Sequence, residues 1–413
     1  MKILHLATSR SGGAGIATRR IHSALLANGV ESTMVTGDRT TSEWPEIQRY
    51  ADVVPGAGRT AIIELKELWH KIKRTKKNNR IAINSAYFSH LFSPYTELTS
   101  LDVYKNADII HLHWVADFMD YPSFFGKNKK PIVWTLHDMH PFTPGNHYPL
   151  HPDEQAKHKA LLNRYATKKQ KYFENQTIHW AATTQWMKNA CLESPIAASS
   201  VQLENQSNYH CLPYGFDIEK FQIRDKAHAR KLLGLPEDKF IILFAAHYTK
   251  ERRKGFPLLA EALQHLPSEN IAVCIMGNHD KNSLAGIENY PLGYVHDDIL
   301  LSLVYSAADV FVTPALVEAF GQTTIESMLC GTPVIGFQTG IVGEVVKNGE
   351  SGFVCESSSA GLAASLTRVL NGELTKNSAQ IREEVVHDFS NSKLVNRLGK
   401  LYEEIMSFAT KSV

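Results

Sequence analysis

The stretch TPALVEAFGQTTIESMLCGTPVI, residues 313–335, decides the fold class of this chain. An apolar strand ends at Pro314, a short loop carries Glu318, and a helical pattern begins near Gly321. Glycine and proline then stop the helix before the next apolar strand begins. A strand that leads through a short loop into a helix and on to another strand is typical of a parallel sheet covered by helices.

The same alternation of strands and helices extends across both halves of the chain. In the second half the pattern predicts strands over 240–246, 271–277, 310–314 and 333–337, and helices over 256–266, 299–308 and 323–330. In the first half it predicts strands over 2–7, 33–36, 108–113, 131–135 and 178–182, a helix after a glycine-rich loop at 11–15, and a helical stretch over 155–174. Pro213 and Gly215 interrupt the pattern between the halves. We therefore expect an α/β fold with two domains, 1–212 and 213–390. We also expect an amphipathic helix over 391–413 that packs on one of them, with the N-terminal domain as the candidate surface.

Size and composition exclude several classes of protein. The chain has 413 residues, of which 43% are hydrophobic and 21% charged, as in ordinary globular proteins of two domains. A net charge of +2 is too small for binding nucleic acid by bulk charge. Five cysteines without a C-x-x-C pair indicate reduced thiols. No apolar run is long enough for a signal peptide or a membrane span. These features predict a cytoplasmic protein that is soluble or at most lies on a membrane surface.

Two glutamates within residues 313–335 carry the strongest chemical signal. Glu318 precedes the predicted helix and Glu326 lies one to two turns inside it. The N-terminus of a helix offers free N–H groups and a positive dipole end, which together favour phosphate. The two carboxylates are therefore placed to hold separate hydroxyl groups of one extended ligand. The alternative is a surface glutamate beside an ordinary helix glutamate.

The segment E-A-F-G-Q-T-T-I-E-S-M-L-C-G-T-P-V, residues 318–334, resembles the Glu-x7-Glu motif of the retaining glycosyltransferases of family 4, of the type found in bacterial capsule, exopolysaccharide and O-antigen synthesis. The resemblance implies a GT-B fold, with two facing Rossmann-like domains and a central cleft. It also implies transfer of a sugar from a nucleotide-diphosphate donor to an acceptor glycan, with retention and without a metal or cofactor. The residues that it implies are Glu318, His137 and Lys254 for catalysis; Gly13, Arg253, Val295, Ala319, Phe320, Gly321, Gln322, Thr323 and Glu326 for the donor; and Gly12, His111, Trp114 and Tyr148 for the acceptor.

The basic residues of the expected diphosphate site depart from the family pattern. The usual arginine directly after the first strand of the second domain is absent, and 244–247 reads F-A-A-H there. The later run 252–255, R-R-K-G, supplies Lys254, with Arg253 or His247 as alternatives for a second phosphate ligand. Without the glutamate motif, such a charge run is as well explained as a solvated loop.

The first domain leaves two other functions open. The glycines at 12–15 and the later Asp38 resemble the site of a nicotinamide dehydrogenase, although Thr18 stands where a third glycine is expected. The spacing of His111 and His113 on a strand, with His137 and Asp138, suits a metal-dependent hydrolase. Ordinary hydrogen-bonded histidines are the simpler alternative.

A basic segment stands out from the near-neutral background at residues 62–80. Its apolar residues follow helical spacing, and it carries seven lysines and arginines from residue 66 onward. Such a helix suits the surface of an anionic membrane, where each basic residue adds ~1 kcal/mol. Packing of the apolar stripe on its own domain explains the pattern equally well. A lipid-linked acceptor on the inner face of the plasma membrane would fit the first interpretation.

Overall fold

Two parallel β-sheets organise the chain in the computed structural model, which describes residues 1–40, 44–54, 65, 68, 72, 88–203, 207–248, 251–278, 284 and 286–411. The first sheet lies in a unit made of Met1–Pro213 and Leu394–Val413, and the second lies in a unit made of Tyr214–Lys393. The α/β class with two parallel sheets is thereby confirmed. Of the basic segment 62–80, all but residues 65, 68 and 72 lie outside the described residues.

The first unit contains a seven-stranded sheet in the order β3-β2-β1-β4-β5-β6-β7. Its strands are β1 Lys2–Ala7, β2 Glu31–Thr36, β3 Ile47–Arg49, β4 Ile109–Leu112, β5 Ile132–Leu136, β6 Ile178–Ala182 and β7 Tyr209–Cys211. Among its described residues before 213, the helices are α1 Gly12–Ala27, α2 Tyr50–Val53, α3 Asp102–Asn106, α4 Tyr121–Lys127, α5 Pro152–Lys157, α6 Lys159–Phe173 and α7 Gln185–Leu192.

The second unit contains a six-stranded sheet in the order β10-β9-β8-β11-β12-β13. Its strands are β8 Phe240–Tyr248, β9 Ile271–Asn278, β10 Glu288–Gly293, β11 Val310–Thr313, β12 Val334–Phe337 and β13 Gly352–Cys355. Its helices are α8 Lys226–Leu233, α9 Phe256–Leu263, α10 Asp298–Ala307, α11 Gln322–Leu329, α12 Val342–Val345, α13 Ser359–Leu370 and α14 Ser378–Val386. The long helix α15, Asn391–Lys411, follows, and its residues from Leu394 onward belong to the first unit.

The strand order of each sheet reverses at one place, between β1 and β4 in the first unit and between β8 and β11 in the second. Ligands of open parallel sheets bind beyond the carboxyl ends of the strands at such a switch point. The loops that follow these four strands are therefore where a binding site is expected. They contain Arg10 and Trp114 in the first unit, and Lys254 and Glu318 in the second.

The central strands of both sheets are buried because helices cover both faces of a parallel sheet. Strand β9 has seven consecutive buried residues, and its isoleucines and valine join a core cluster with β8 and β11. Histidines interrupt this apolar pattern in the first unit, where His5 of β1 and His111 of β4 are each 0% exposed. Their polar nitrogens need partners inside the protein, and these partners belong to the candidate site.

Two expectations about helices need correction. The glycine-rich run at 12–15 is the first turn of α1 rather than a separate loop, because helical backbone begins at Gly12 directly after the N-cap Ser11. The predicted helical stretch 155–174 is two helices, since the backbone at His158 leaves helical geometry between α5 and α6. Among the described residues, no helix combines the length and apolar character that a membrane span requires.

Candidate active site

A cluster of opposite charges lies at the switch point of the second sheet. The Nζ atom of Lys254 is 2.5 Å from Oε2 of Glu318, and Nη1 of Arg253 is 3.3 Å from the same oxygen. Both basic residues follow β8, and Glu318 follows β11, which pairs with β8. The structure therefore brings together three residues that were predicted separately. His247, the alternative phosphate ligand, is the penultimate residue of β8, and its side chain lies outside the described part of the chain.

Backbone contacts hold these two loops together. The amide of Leu316 donates to the carbonyl of Arg253 at 2.8 Å, and Nη1 of Arg253 donates to the carbonyl of Val317 at 2.8 Å. Gly255 makes this approach sterically feasible. Its φ is +70°, and a Cβ atom there would lie 1.7 Å from the carbonyl oxygen of Pro314. Lys254 thus supplies a charge, and the adjacent Gly255 has no side chain that would obstruct the neighbouring loop.

The cluster keeps Glu318 ionised. Burial opposes the charge, but the ammonium of Lys254 and the guanidinium of Arg253 outweigh it and hold the pKa of Glu318 below its ordinary value. Its other oxygen, Oε1, accepts a hydrogen bond from the amide of Ala319 at 3.2 Å. A fixed carboxylate between two cations can accept hydrogen bonds from hydroxyl groups, while the cations attract phosphate.

Helix α11 begins immediately after this loop. Its N-cap is Gly321, with φ +88°, which provides no side chain to cap the first amides. The first turn carries Gln322 and Thr323, both partly exposed, at the positive end of the helix dipole. Ala319 and Phe320 are each 2% exposed. The side chains of these two residues are therefore packed inside the unit.

Glu326 lies inside α11 and is buried. The phenol of Tyr305, on α10, donates to its Oε2 at 2.8 Å. Sequence reasoning missed Tyr305, because a buried tyrosine on a helix has no distinguishing pattern. Val295 lies in the loop after β10, half-buried, between the exposed Tyr294 and His296. That loop follows the carboxyl end of its strand, the same edge at which Glu318 lies.

The first unit carries the remaining predicted residues. Gly12 has φ +71° and open space around its Cβ position, and Gly13 follows it in the first turn of α1. Asp38 accepts from Ser9 Oγ at 2.8 Å and from the amide of Arg10 at 2.9 Å. Its carboxylate thus fixes the loop after β1, which argues against the ribose-binding role of the dehydrogenase alternative.

Buried histidines form a connected chain beneath the switch point of the first sheet. His137, directly after β5, shares a hydrogen bond from Nε2 to Nδ1 of His113 at 3.0 Å. His113 shares a second one from Nε2 to Nδ1 of His5 at 2.8 Å. Burial lowers the pKa of His137 to about 4, and the pKa values of His5 and His113 are lowered well below 6.5 by burial and by the neighbouring rings. These three rings are therefore neutral at pH 7.

His111 was expected to contact the acceptor, but its surroundings indicate a structural role instead. It is 0% exposed, and its nitrogens share hydrogen bonds with Tyr402 Oη at 2.6 Å and Thr135 Oγ1 at 2.7 Å. Both nitrogens are therefore engaged inside the unit. Nitrogen atoms of His5, His111 and His113 lie within 4.8 Å of one another, as metal ligands can. The observed hydrogen bonds occupy both nitrogens of His111 and of His113, so this donor set does not fit a metal as it stands.

Trp114 is held by a second buried group. Asp138 Oδ2 accepts from Trp114 Nε1 at 2.7 Å and from His147 Nδ1 at 2.6 Å. Burial works against ionisation of Asp138, but His147 and the backbone outweigh it and lower the pKa of Asp138. Tyr148, next in the chain, is half-buried. The loop after β5 thus orients an indole ring at the edge predicted for an acceptor.

A buried lysine fixes that same loop. Nζ of Lys169, on α6, donates to the carbonyls of His140 and Thr143, and the side chain is 0% exposed. Burial lowers the pKa of this amine well below its ordinary value. The role of Lys169 was missed in the sequence analysis, since a lysine within a polar helix is normally solvated.

Comparison with known proteins identifies a family that matches part of the second unit. The family model described as Glycosyl transferases group 1 matches residues 225–385. An uncharacterized glycosyltransferase of Methanocaldococcus jannaschii is 30% identical over 169 residues, which are 38% of this chain and 43% of that protein. The D-inositol 3-phosphate glycosyltransferase of an Arthrobacter species is 25% identical over 384 residues, which are 85% of this chain and 79% of that protein. The alignment thus spans less than half of the archaeal relative.

Solved structures extend the likeness to both units. Sucrose-phosphate synthase from Thermosynechococcus elongatus has a TM-score of 0.71 at 20% identity, covering 98% of this chain and 100% of that one. HepE of Anabaena in complex with UDP and glucose has a TM-score of 0.66 at 16% identity, with the same coverage. At this identity the likeness concerns the fold. The family match over residues 225–385 and these relatives show that the chain is similar to group 1 glycosyltransferases, and the solved structures show that it has the GT-B fold.

Proposed function

We propose that the protein is a retaining, metal-independent glycosyltransferase that moves a sugar from a nucleotide-diphosphate donor to a hydroxyl group of an acceptor glycan. The observation that carries this proposal is the cluster of Arg253, Lys254 and Glu318 beside the uncapped start of α11. It combines cations and helix amides for a diphosphate with a carboxylate for sugar hydroxyls. HepE, a protein with the same fold, has been solved in complex with UDP and glucose.

The chemistry needs charge stabilisation more than proton transfer by a side chain. The bond between the anomeric carbon and the diphosphate oxygen breaks, and a bond from the acceptor oxygen to the same face of that carbon forms. The acceptor's proton passes to the departing phosphate. Lys254, Arg253 and the amides of α11 stabilise the negative charge that develops on the diphosphate. Glu318 and Glu326 hold the sugar and the ribose by their hydroxyls.

The first test is a binding screen. Purified protein is titrated by calorimetry with UDP-, GDP- and ADP-sugars in the presence of EDTA, with NAD and NADP as controls. We expect one nucleotide-sugar class to bind without metal. Binding of a nicotinamide nucleotide alone, or of any ligand only after metal is restored, would contradict the proposal. The anomeric configuration of the product, read by NMR, tests retention.

Variants then test the cluster itself. Glu318→Gln and Lys254→Ala are expected to lower transfer by about 100-fold or more, because each removes a preorganised charge from the site. Lys226→Ala is the matched control, since it removes an ion pair of 2.7 Å with Asp309 from the same unit away from the cluster. Near-normal transfer by either site variant, with the control also active, would contradict the assignment.

The acceptor and the location complete the proposal. We propose a lipid-linked acceptor in cell-surface polysaccharide synthesis, used on the cytoplasmic face of the plasma membrane. Support comes from the basic sequence 62–80, whose described residues Leu65, Leu68 and Ile72 are exposed apolar side chains. Sedimentation with vesicles tests it: binding to anionic but not to neutral vesicles is expected. Equal binding to both, or to neither, would contradict the membrane part alone.

A further inference from the structure

Three buried rings connect β1 to the loop after β5. Hydrogen bonds join His5 Nδ1 to His113 Nε2 at 2.8 Å, and His113 Nδ1 to His137 Nε2 at 3.0 Å. All three side chains are less than a tenth exposed, and His5 is fully buried. The positions of the protons along this chain decide which atoms of His137 can donate.

The number of protons is limited because the rings are neutral. A neutral imidazole carries one N–H and one lone pair, so His113 donates in one of its two hydrogen bonds and accepts in the other. Burial and the mutual repulsion of the rings lower the pKa of His113 well below 6.5, which excludes a doubly protonated ring near pH 7. Only two orders of protons along the chain remain.

In one order, His113 donates to His5 and accepts from His137. His5 then carries its proton on Nε2, where the atom is buried and has no hydrogen-bond partner among the described residues. In the other order, His5 donates to His113, and His113 donates to His137. His5 Nε2 is then a lone pair, and His137 carries its proton on Nδ1. A buried N–H without an acceptor is rarer in proteins than a buried acceptor without a donor.

We propose that His113, itself ordered by His5, is a positioning residue that holds His137 with its proton on Nδ1 and its Nε2 lone pair occupied. The catalytic part of this inference rests on the proposed function, in which His137 contacts the donor sugar. His137 then offers an N–H donor and does not take up the acceptor's proton. This agrees with a reaction in which the departing phosphate receives that proton.

The proton order is measured without any substrate. The full chain is labelled with ¹⁵N-histidine, and long-range ¹H–¹⁵N spectra distinguish protonated from unprotonated nitrogens in each ring. The spectra of His137→Asn and His113→Asn assign the two rings by the signals that disappear. We expect the proton on Nδ1 of both His113 and His137 at pH 7.5. A proton on Nε2 of either ring would overturn the proposal.

Two variants of the same size test the consequence. The amide nitrogen of asparagine takes about the place of Nδ1, so His113→Asn keeps a donor toward His137. His113→Asp places an acceptor there and moves the proton of His137 to Nε2. We expect kcat to be about 100-fold lower for His113→Asp than for His113→Asn, with the donor KM changed only a few-fold. Equal kcat values would overturn the positioning role, and if His113→Asp does not fold, the tautomer spectra still decide the proton order.

The outcomes remain distinct from those of the proposed function. If no nucleotide sugar binds in the calorimetric screen, the glycosyltransferase proposal fails while the spectra still report the proton order. If the donor binds and the tautomer of His137 is the opposite one, the reaction stands and only the positioning role is refuted.

Discussion

Replacing Gly255 with alanine tests how closely the two loops that carry Arg253, Lys254 and Glu318 must approach. The new Cβ would lie 1.7 Å from the carbonyl oxygen of Pro314, so the two loops must separate by more than an ångström. The positive φ of +70° adds a conformational cost of about 1–2 kcal/mol, and the forced separation adds about 1–3 kcal/mol. Gly234→Ala is the matched control, because its φ is +65° and nothing lies within 4 Å of the added atom.

Stability and binding are measured separately. All six tryptophans lie before residue 213, so the second unit is followed by hydrogen exchange of peptides from 214–393. We expect Gly234→Ala to cost about 1–2 kcal/mol and Gly255→Ala about 2–5 kcal/mol. Separation of Lys254 from Glu318 should also weaken nucleotide-sugar binding by about ten- to a hundredfold, the value of one charged hydrogen bond. Equal stability losses in the two variants, with unchanged binding, would refute this reasoning.

Two further predictions concern buried polar groups. Tyr305→Phe removes the phenol that donates to Glu326, so the affinity for the nucleotide sugar, measured by calorimetry, should fall about three- to tenfold. The control Tyr290→Phe, on the partly exposed β10, should leave this affinity unchanged. Equal affinities of the two variants would contradict a binding role for Glu326. In the folded chain the pKa of His111 is about 3 and that of His137 about 4, both below the 6.5 of a histidine in the unfolded chain. Their neutral forms therefore contribute fully to the free energy of unfolding above pH 6.5, and this contribution is lost as the pH falls to the two folded-state pKa values. The free energy of unfolding of the first unit, followed by tryptophan fluorescence in denaturant, should drop by about 3 kcal/mol or more from pH 6.5 to pH 5, and a flat profile would contradict it.

The fold could be predicted largely because parallel strands are long apolar runs. Strands β1 and β6 have the predicted bounds, and the glycine and proline signals around α11 mark its ends within a residue. The strands β3, β7, β10 and β13 were missed. Strands β3 and β7 have only three residues each, β13 has four, and β10 is partly exposed and lacks a continuous apolar run. The glycine run at 12–15 was mistaken for a loop because glycine is unusual in helices, although it is tolerated in a first turn.

The cluster of Arg253, Lys254 and Glu318 was predictable because its residues lie in two local motifs. The histidine chain was not, since the bond between His5 and His113 depends on β1 and β4 being neighbours in the sheet. More than 100 residues separate the two strands in sequence. A single histidine in an otherwise apolar strand, as at His5, is the signal that could have indicated a buried polar partner.

The path of the chain into α15 has a consequence for synthesis. The buried face of α15 includes Leu398 and Tyr402, and Tyr402 completes the hydrogen bonding of His111 in the first unit. Residues 214–393 are translated before this helix is available. At about 5–20 residues per second, the ribosome needs roughly ten to forty seconds to make them. During that interval the nascent first unit exposes the apolar surface that α15 will cover, so the unit that starts folding first is the last to finish.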